Sequence, residues 1–170
     1  VSIRGFSSNY QIDQLLEIRK EELPLQGISF CYPFADENYK KIISQHLVPV
    51  DKDLGKLSKP DLYRLLWATK LVISIPKSDS SPRSVYEAIF CGCFIAATAG
   101  GWINSLPACM KKRVIIVNLE SKTWLSEALQ YAEENIKNAY IPSDQALEMF
   151  DKKRSTQKFY KDIYPSIRTI

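Results

Sequence analysis

Within ten residues, Asp79-Ser80-Ser81-Pro82-Arg83-Ser84-Val85-Tyr86-Glu87-Ala88 brings together two carboxylates, three serines and an arginine. An apolar run, Leu71-Val72-Ile73-Ser74-Ile75-Pro76, precedes it and reads as a buried strand. Ile89-Phe90-Cys91-Gly92 follows it and reads as the body and end of a helix. Free backbone N–H groups at a helix N-terminus attract anions, so a small polar loop opening a helix on Arg83 and Ser84 suits a phosphorylated ligand. Carboxylates do not bind phosphate. They accept hydrogen bonds from sugar hydroxyls, which gives Asp79 and Glu87 a part in the same site. Glu87 lies between Tyr86 and Ala88-Ile89-Phe90, and a carboxylate in so apolar a stretch needs partners. The plainer alternative is a capping aspartate followed by an exposed helical glutamate.

Positioning such a site requires a sheet, and the chain alternates strand-like and helix-like segments. Val1–Phe6, Gly27–Tyr32, Leu47–Val50, Leu71–Ile75, Phe94–Thr98 and Val114–Val117 read as strands. Ile12, Leu15, Leu16 and Ile18 recur at helical spacing before Pro24, and Asp36 caps a helix running to about Gln45. Ser58 caps a third helix, with Pro60 just inside it, ending near Thr69. Pro82–Cys91 is the fourth. Thr123 caps a long helix from Trp124 to about Ala139, and Gln145–Tyr164 forms the last. This alternation predicts a single α/β domain over residues 1–170, a Rossmann-like doubly wound parallel sheet of about six strands with helices on both faces. Ligands bind such sheets beyond the carboxyl ends of the strands, at the loops after Phe6, Tyr32, Val50, Ile75 and Thr98.

These residues carry a family resemblance. Leu57…Leu62-Tyr63…Ala68-Thr69-Lys70-Leu71-Val72-Ile73-Ser74-Ile75-Pro76 resembles the helix and strand leading into the donor site of retaining, nucleotide-sugar-dependent glycosyltransferases of the GT-B fold. Asp79, seven residues, then Glu87-Ala88…Cys91-Gly92-Cys93-Phe94-Ile95-Ala96-Ala97-Thr98…Gly100-Gly101 is similar to their paired acidic motif and the strand after it. Phe159-Tyr160…Ile163-Tyr164 is similar to their closing helix.

The resemblance implies the carboxyl-terminal, donor-binding domain of an enzyme that transfers a hexose from a nucleoside diphosphate to a glycan, lipid or other acceptor. Glu87 would bind the ribose hydroxyls. Asp79, the catalytic-site acid, would contact the donor sugar. Backbone N–H groups near Ser80 and Ser81, with the Ser84 hydroxyl, would hold the diphosphate. The turn after Val50, reaching toward Leu57, would hold the base. No metal or other cofactor is implied, so cationic side chains and helix dipoles must offset the diphosphate charge. Arg4, Lys77 and Arg83 are the candidates.

Three departures stand beside the likeness. Arg4-Gly5-Phe6-Ser7-Ser8-Asn9-Tyr10 replaces the usual Gly-Arg and later Lys, Asp79 is the shorter acid, and Asn104 stands where Glu usually follows the double glycine. They favour the alternative of a degenerate, non-catalytic scaffold or partner-binding module. A receiver-like signalling domain would need acids after the first strand, where Ser7-Ser8-Asn9 stands.

The bulk numbers agree with a globular domain. The 170 residues are 45% hydrophobic and 25% charged, with 23 basic and 19 acidic residues for a net charge of +4. No basic stripe with interleaved aromatics points to nucleic acid. No apolar run approaches the roughly 20 residues of a membrane span. Val1 stands inside a strand-like run, so the chain is expected to be cut from a longer protein whose amino-terminal acceptor-binding domain is missing. The family suggests the cytoplasm, including the inner membrane surface. The four cysteines are read as reduced thiols, since Cys91 and Cys93 lack zinc spacing. Asp51-Lys52-Asp53 reads as a solvated turn rather than a metal motif, and His46 as a helix-end residue. Trp124 reads as packing, and Trp102 as packing or a cleft wall. Lys111-Lys112-Arg113 reads as a solvated loop or as a contact for a membrane or an anionic acceptor.

Overall fold

The computed structural model describes residues 1–151 and 153–154. Among the described residues five parallel strands carry the fold: β1 (Ser29–Cys31), β2 (Lys52–Gly55), β3 (Leu71–Ser74), β4 (Phe94–Ala97) and β5 (Val114–Ile116). The helices are α1 (Ile12–Glu22), α2 (Glu37–Ser44), α3 (Lys59–Trp67), α4 (Arg83–Phe90), α5 (Gly101–Asn104), α6 (Ala108–Lys111), α7 (Trp124–Asn135) and α8 (Asp144–Phe150). Asp36 and Ser58 cap α2 and α3 as expected, their side chains accepting from the N–H groups of Tyr39 and Asp61. Thr123 precedes α7 without a side-chain bond to its backbone, and α7 stops at Asn135. The expected final helix is interrupted: α8 ends at Phe150, where Asp151 has an extended backbone; Phe159, Tyr160, Ile163 and Tyr164 lie outside the described residues.

The first expected strand is reduced to isolated bridges. Ser2 pairs with Phe30 on one side and Ile73 on the other, and Phe6 pairs with Ala35. The backbone bends at Arg4, so no ladder continues between those bridges. Ser2 nevertheless joins the two-stranded β1–β2 unit to the three-stranded β3–β4–β5 unit. The spatial order is β2, β1, the Val1–Ile3 segment, β3, β4, β5. The chain order reverses between the Val1–Ile3 segment and β3, and there the loops after Phe6 and after β3 diverge.

The other correction concerns the third strand. Leu47–Val50 is a turn region, and the strand is Lys52–Gly55, paired parallel to β1 with Ser29 opposite Lys52. β2 lies at the sheet's edge, so half of it stays exposed and no apolar alternation marks it.

Alternating residues of the central strands feed two cores. Leu71, Ile73, Phe94 and Ala96 pack with Ile12, Leu15, Ile43, Trp124 and Leu125 on one face. Val72, Ile95 and Ala97 pack with Leu66, Val85, Ala88, Ile89, Trp102 and Met110 on the other. Helices therefore cover both faces.

Candidate functional site

Three segments meet where the chain order reverses. Arg4 leaves the first bridge segment, the Ile75–Pro82 loop leaves β3, and α4 begins at Arg83. Arg4 pairs with the Asp79 carboxylate through Nη2 and donates from Nη1 to Ser84 Oγ at 2.9 Å. The two charged side chains are only 8% and 15% exposed. Asp79 Oδ1 also accepts the Ser81 N–H at 3.1 Å. The Arg4 guanidinium stands 4.6 Å from the Tyr10 ring centroid, a cation–π contact.

Two residues that sequence reasoning missed tie the first loop to the second. The Asn9 side chain donates to Ser78 O at 3.1 Å and accepts from Ser78 N–H at 3.3 Å, while Lys77 N–H donates to Asn9 O at 2.7 Å. Gln11 has a left-handed backbone, φ 51°, and its buried side chain donates to Ile75 O at 2.7 Å. No pattern of residue types marks these two. The signal is that Ser7-Ser8-Asn9 follows a strand-like run in a sheet protein, where the loop must lie against its neighbour.

Glu87 faces α3, where Lys59 Nζ stands 2.5 Å from Oε1. A cleft of about 940 Å³ runs along α4 from Ser81 and Arg83 past Glu87 to Phe90 and Cys91, walled by Tyr63 and Trp67 of α3 and by Leu147, Met149 and Phe150 of α8. Trp67 is 79% exposed, a third residue that sequence reasoning did not place at the site. Burial, then the neighbouring Glu87 charge, pushes the Cys91 thiol up, so it stays protonated there. Burial also pushes the Tyr86 phenol up, against a hydrogen bond from Ser81 that lowers it and the Asp79 charge that raises it again.

The remaining expected site residues divide. Lys77, Ser80, Ser81 and Arg83 are exposed on the loop and the first turn of α4. Pro82 is the N-cap, which makes Ser84 the second helical residue. Leu57 lies after β2, at the carboxyl edge. Val50 is a correction. It precedes β2 and abuts Gly27 at the amino end of β1, on the edge opposite the site.

Other residues settle into structural places. The Asp51 side chain is not solvated: fully buried, it pairs with Arg19 at 3.0 Å and accepts the N–H groups of Ile28 and Val48. Asp53 accepts from the Tyr32 hydroxyl and Lys40. Arg113 is buried, donating to Gly92 O and Asn138 O over the Phe94 ring, whereas Lys111 and Lys112 are exposed. Trp102 and Trp124 are buried packing residues, and His46 is exposed. The four cysteines are unpaired. Among the described residues no group of three His, Cys, Asp or Glu side chains is arranged to hold a metal ion, and no helix is long and apolar enough to cross a membrane.

No protein-family model matches the sequence, and neither does any curated protein. Solved structures do match. HepE of Anabaena, in complex with UDP and glucose, superposes with a TM-score of 0.69 at 16% identity, over 99% of this chain and 48% of that one. The pneumococcal O-GlcNAc transferase GtfA, in complex with UDP and GlcNAc, gives 0.65 at 17% identity, over 98% of this chain and 36% of that one. The catalytic domain of cholesterol-alpha-glucosyltransferase from Helicobacter pylori gives 0.56 at 14% identity, over 94% and 98%. The chain thus spans about half the length of HepE. At these identities the likeness is one of fold. The fold is that of the GT-B glycosyltransferases, with five named strands where the sequence suggested about six.

Proposed function

We propose that this chain is the donor-binding part of a retaining glycosyltransferase that moves a hexose from a nucleoside diphosphate to an acceptor held by a domain outside residues 1–170. One observation carries the reading. Arg4, Asp79 and Ser84 converge at the reversal of chain order, and Glu87 stands on the same helix as Ser84 in an adjoining open cleft. UDP in the HepE and GtfA structures, which share the fold, supports the ligand class.

In this reading the Glu87 carboxylate accepts the ribose hydroxyls, exchanging its contact with the exposed Lys59 for them. The Leu57 loop meets the base. Ser80, Ser81 and Ser84 face the diphosphate, and Asp79 lies toward the sugar. As the bond between the anomeric carbon and the diphosphate breaks, its electron pair goes to the leaving oxygen, while the acceptor's nucleophilic atom bonds to that carbon and gives its proton to the departing diphosphate. The exposed Lys77 and Arg83 and the N-terminal end of α4 offset that charge without a metal. The exposed Lys111 and Lys112 suit an anionic acceptor or the inner membrane surface. A non-catalytic module of the same fold is the second reading, favoured because both oxygens of Asp79 are already engaged.

The test is a titration with UDP, GDP and ADP while amide shifts are followed. Shifts centred on residues 79–87 are expected for one of them. Glu87→Gln is expected to weaken nucleotide binding by about tenfold, the scale of a charged hydrogen bond, and to leave inorganic pyrophosphate binding unchanged. No response at residues 79–87 to any nucleotide sinks the proposal.

A further inference from the structure

We infer that the Asp79 carboxylate is a resident competitor in the anion site: it occupies the donors that a diphosphate would take, so a ligand binds only by displacing it. This deepens the reading above and rests on it for the nucleotide, but the anion chemistry stands on its own geometry. Oδ1 of Asp79 takes the Ser81 N–H, Oδ2 takes Arg4 Nη2, and Arg4 Nη1 is held by Ser84 Oγ. The Arg4 Nε is buried and has no hydrogen-bond partner. An arginine side chain only 8% exposed, with its Nε donor unsatisfied, is an anion receptor already holding one anion.

Carboxylate and phosphate oxygens favour the same forked donors, and a phosphate on Nη2 beside the Asp79 carboxylate sets two anions in contact, so repulsion between them makes binding an exchange. Tyr10 fixes the guanidinium from its face, so Arg4 does not swing to a second partner. Asp79 is the freer member. Asn9 ties down Lys77 and Ser78 before it, but Ser80 and Ser81 after it are exposed, and Asp79 is the less covered half of the pair. Arrival of a diphosphate is therefore an exchange of one anion for another, with Lys77 and Arg83 as the first cations it meets.

The inference predicts an outcome opposite to that for a residue that only binds ligand. Asp79→Asn keeps the shape and removes the competing charge. It is expected to bind inorganic pyrophosphate and UDP about tenfold more tightly than the unaltered chain, the effect of freeing one charge-assisted donor pair. Calorimetric titration reads this directly. The double variant Arg4→Met with Asp79→Asn leaves no buried charge unpaired and is expected to lose the gain. If Asp79→Asn does not fold by itself, millimolar pyrophosphate is expected to restore its thermal transition, and absence of any rescue overturns the inference. Equal or weaker pyrophosphate binding by a folded Asp79→Asn overturns it too, as does a gain that survives in the double variant. The nucleotide reading fails separately: a gain for pyrophosphate together with no effect of Glu87→Gln on UDP keeps the competitor and removes the ribose contact.

Discussion

Two arginine–aspartate pairs sit at opposite edges of the sheet and do different work. Arg19–Asp51 lies at the amino edge and is sealed, with the two side chains 2% and 0% exposed. Its contact is two-pronged, at 3.0 and 3.4 Å, and Asp51 also accepts the N–H groups of Ile28 and Val48. One carboxylate thus pins α1, the start of β1 and the turn before β2. Arg4–Asp79 lies at the carboxyl edge. Asp79 has a single backbone donor, from its own loop, and a cleft runs past the next helix. Each arginine leaves its Nε unpartnered, so the distinction lies with the acids. Where every lone pair is met by fixed backbone, an ion pair is a staple. Where it joins a side chain to an exposed loop, it can be exchanged.

The largest break in that comparison comes from Asp51→Ala. It strands a buried guanidinium and two backbone donors, and is expected to cost about 3–5 kcal/mol in chemical denaturation. Gly27→Ala is next. A Cβ there stands 2.3 Å from the Val50 carbonyl oxygen, which is backbone and cannot yield, so about 3 kcal/mol is expected. Asp79→Asn, on the looser edge, is expected to cost about 2 kcal/mol, because solvent reaches the pair and Tyr10 still covers Arg4. Gly5→Ala sharpens the contrast with Gly27. Its Cβ stands 2.6 Å from the Phe34 ring, a half-exposed side chain free to turn aside, so about 1 kcal/mol is expected. A loss at Gly5 as large as that at Gly27 would show the carboxyl edge to be as rigid as the amino edge. Lys59→Gln is the smallest. Its pair with Glu87 is largely solvated, and stability is expected to change by no more than about 0.5 kcal/mol in the same denaturation measurement.

Sequence legibility followed the same division. β3 and β4 were readable because both faces of a central strand are covered, which leaves a continuous apolar run. α2 and α3 were readable because a capping side chain acts on its own backbone three residues away. β2 was not, because Lys52-Asp53-Leu54-Gly55 lies at an edge and carries no buried alternation. With β2 misplaced, Val50 was assigned to the wrong edge. Asp51 was misread for a related reason. A charged residue in a polar run reads as solvated until its partner, 32 residues away on α1, is brought against it.

What the amino-acid sequence determined by itself was local: the strand–loop–helix around Asp79 and Glu87, the helix starts, and the alternation that requires a doubly wound sheet. Hydrophobic period and capping chemistry act over a few residues, so they are written in order along the chain. The tertiary structure alone decided which charges meet. Arg4 and Asp79 are 75 positions apart, and Lys59 and Glu87 are 28 apart. Only the parallel crossovers that set Ser2 against Ile73 bring the first pair within reach. Coulombic and hydrogen-bond partners are chosen by distance in space, and along the sequence that distance leaves no mark.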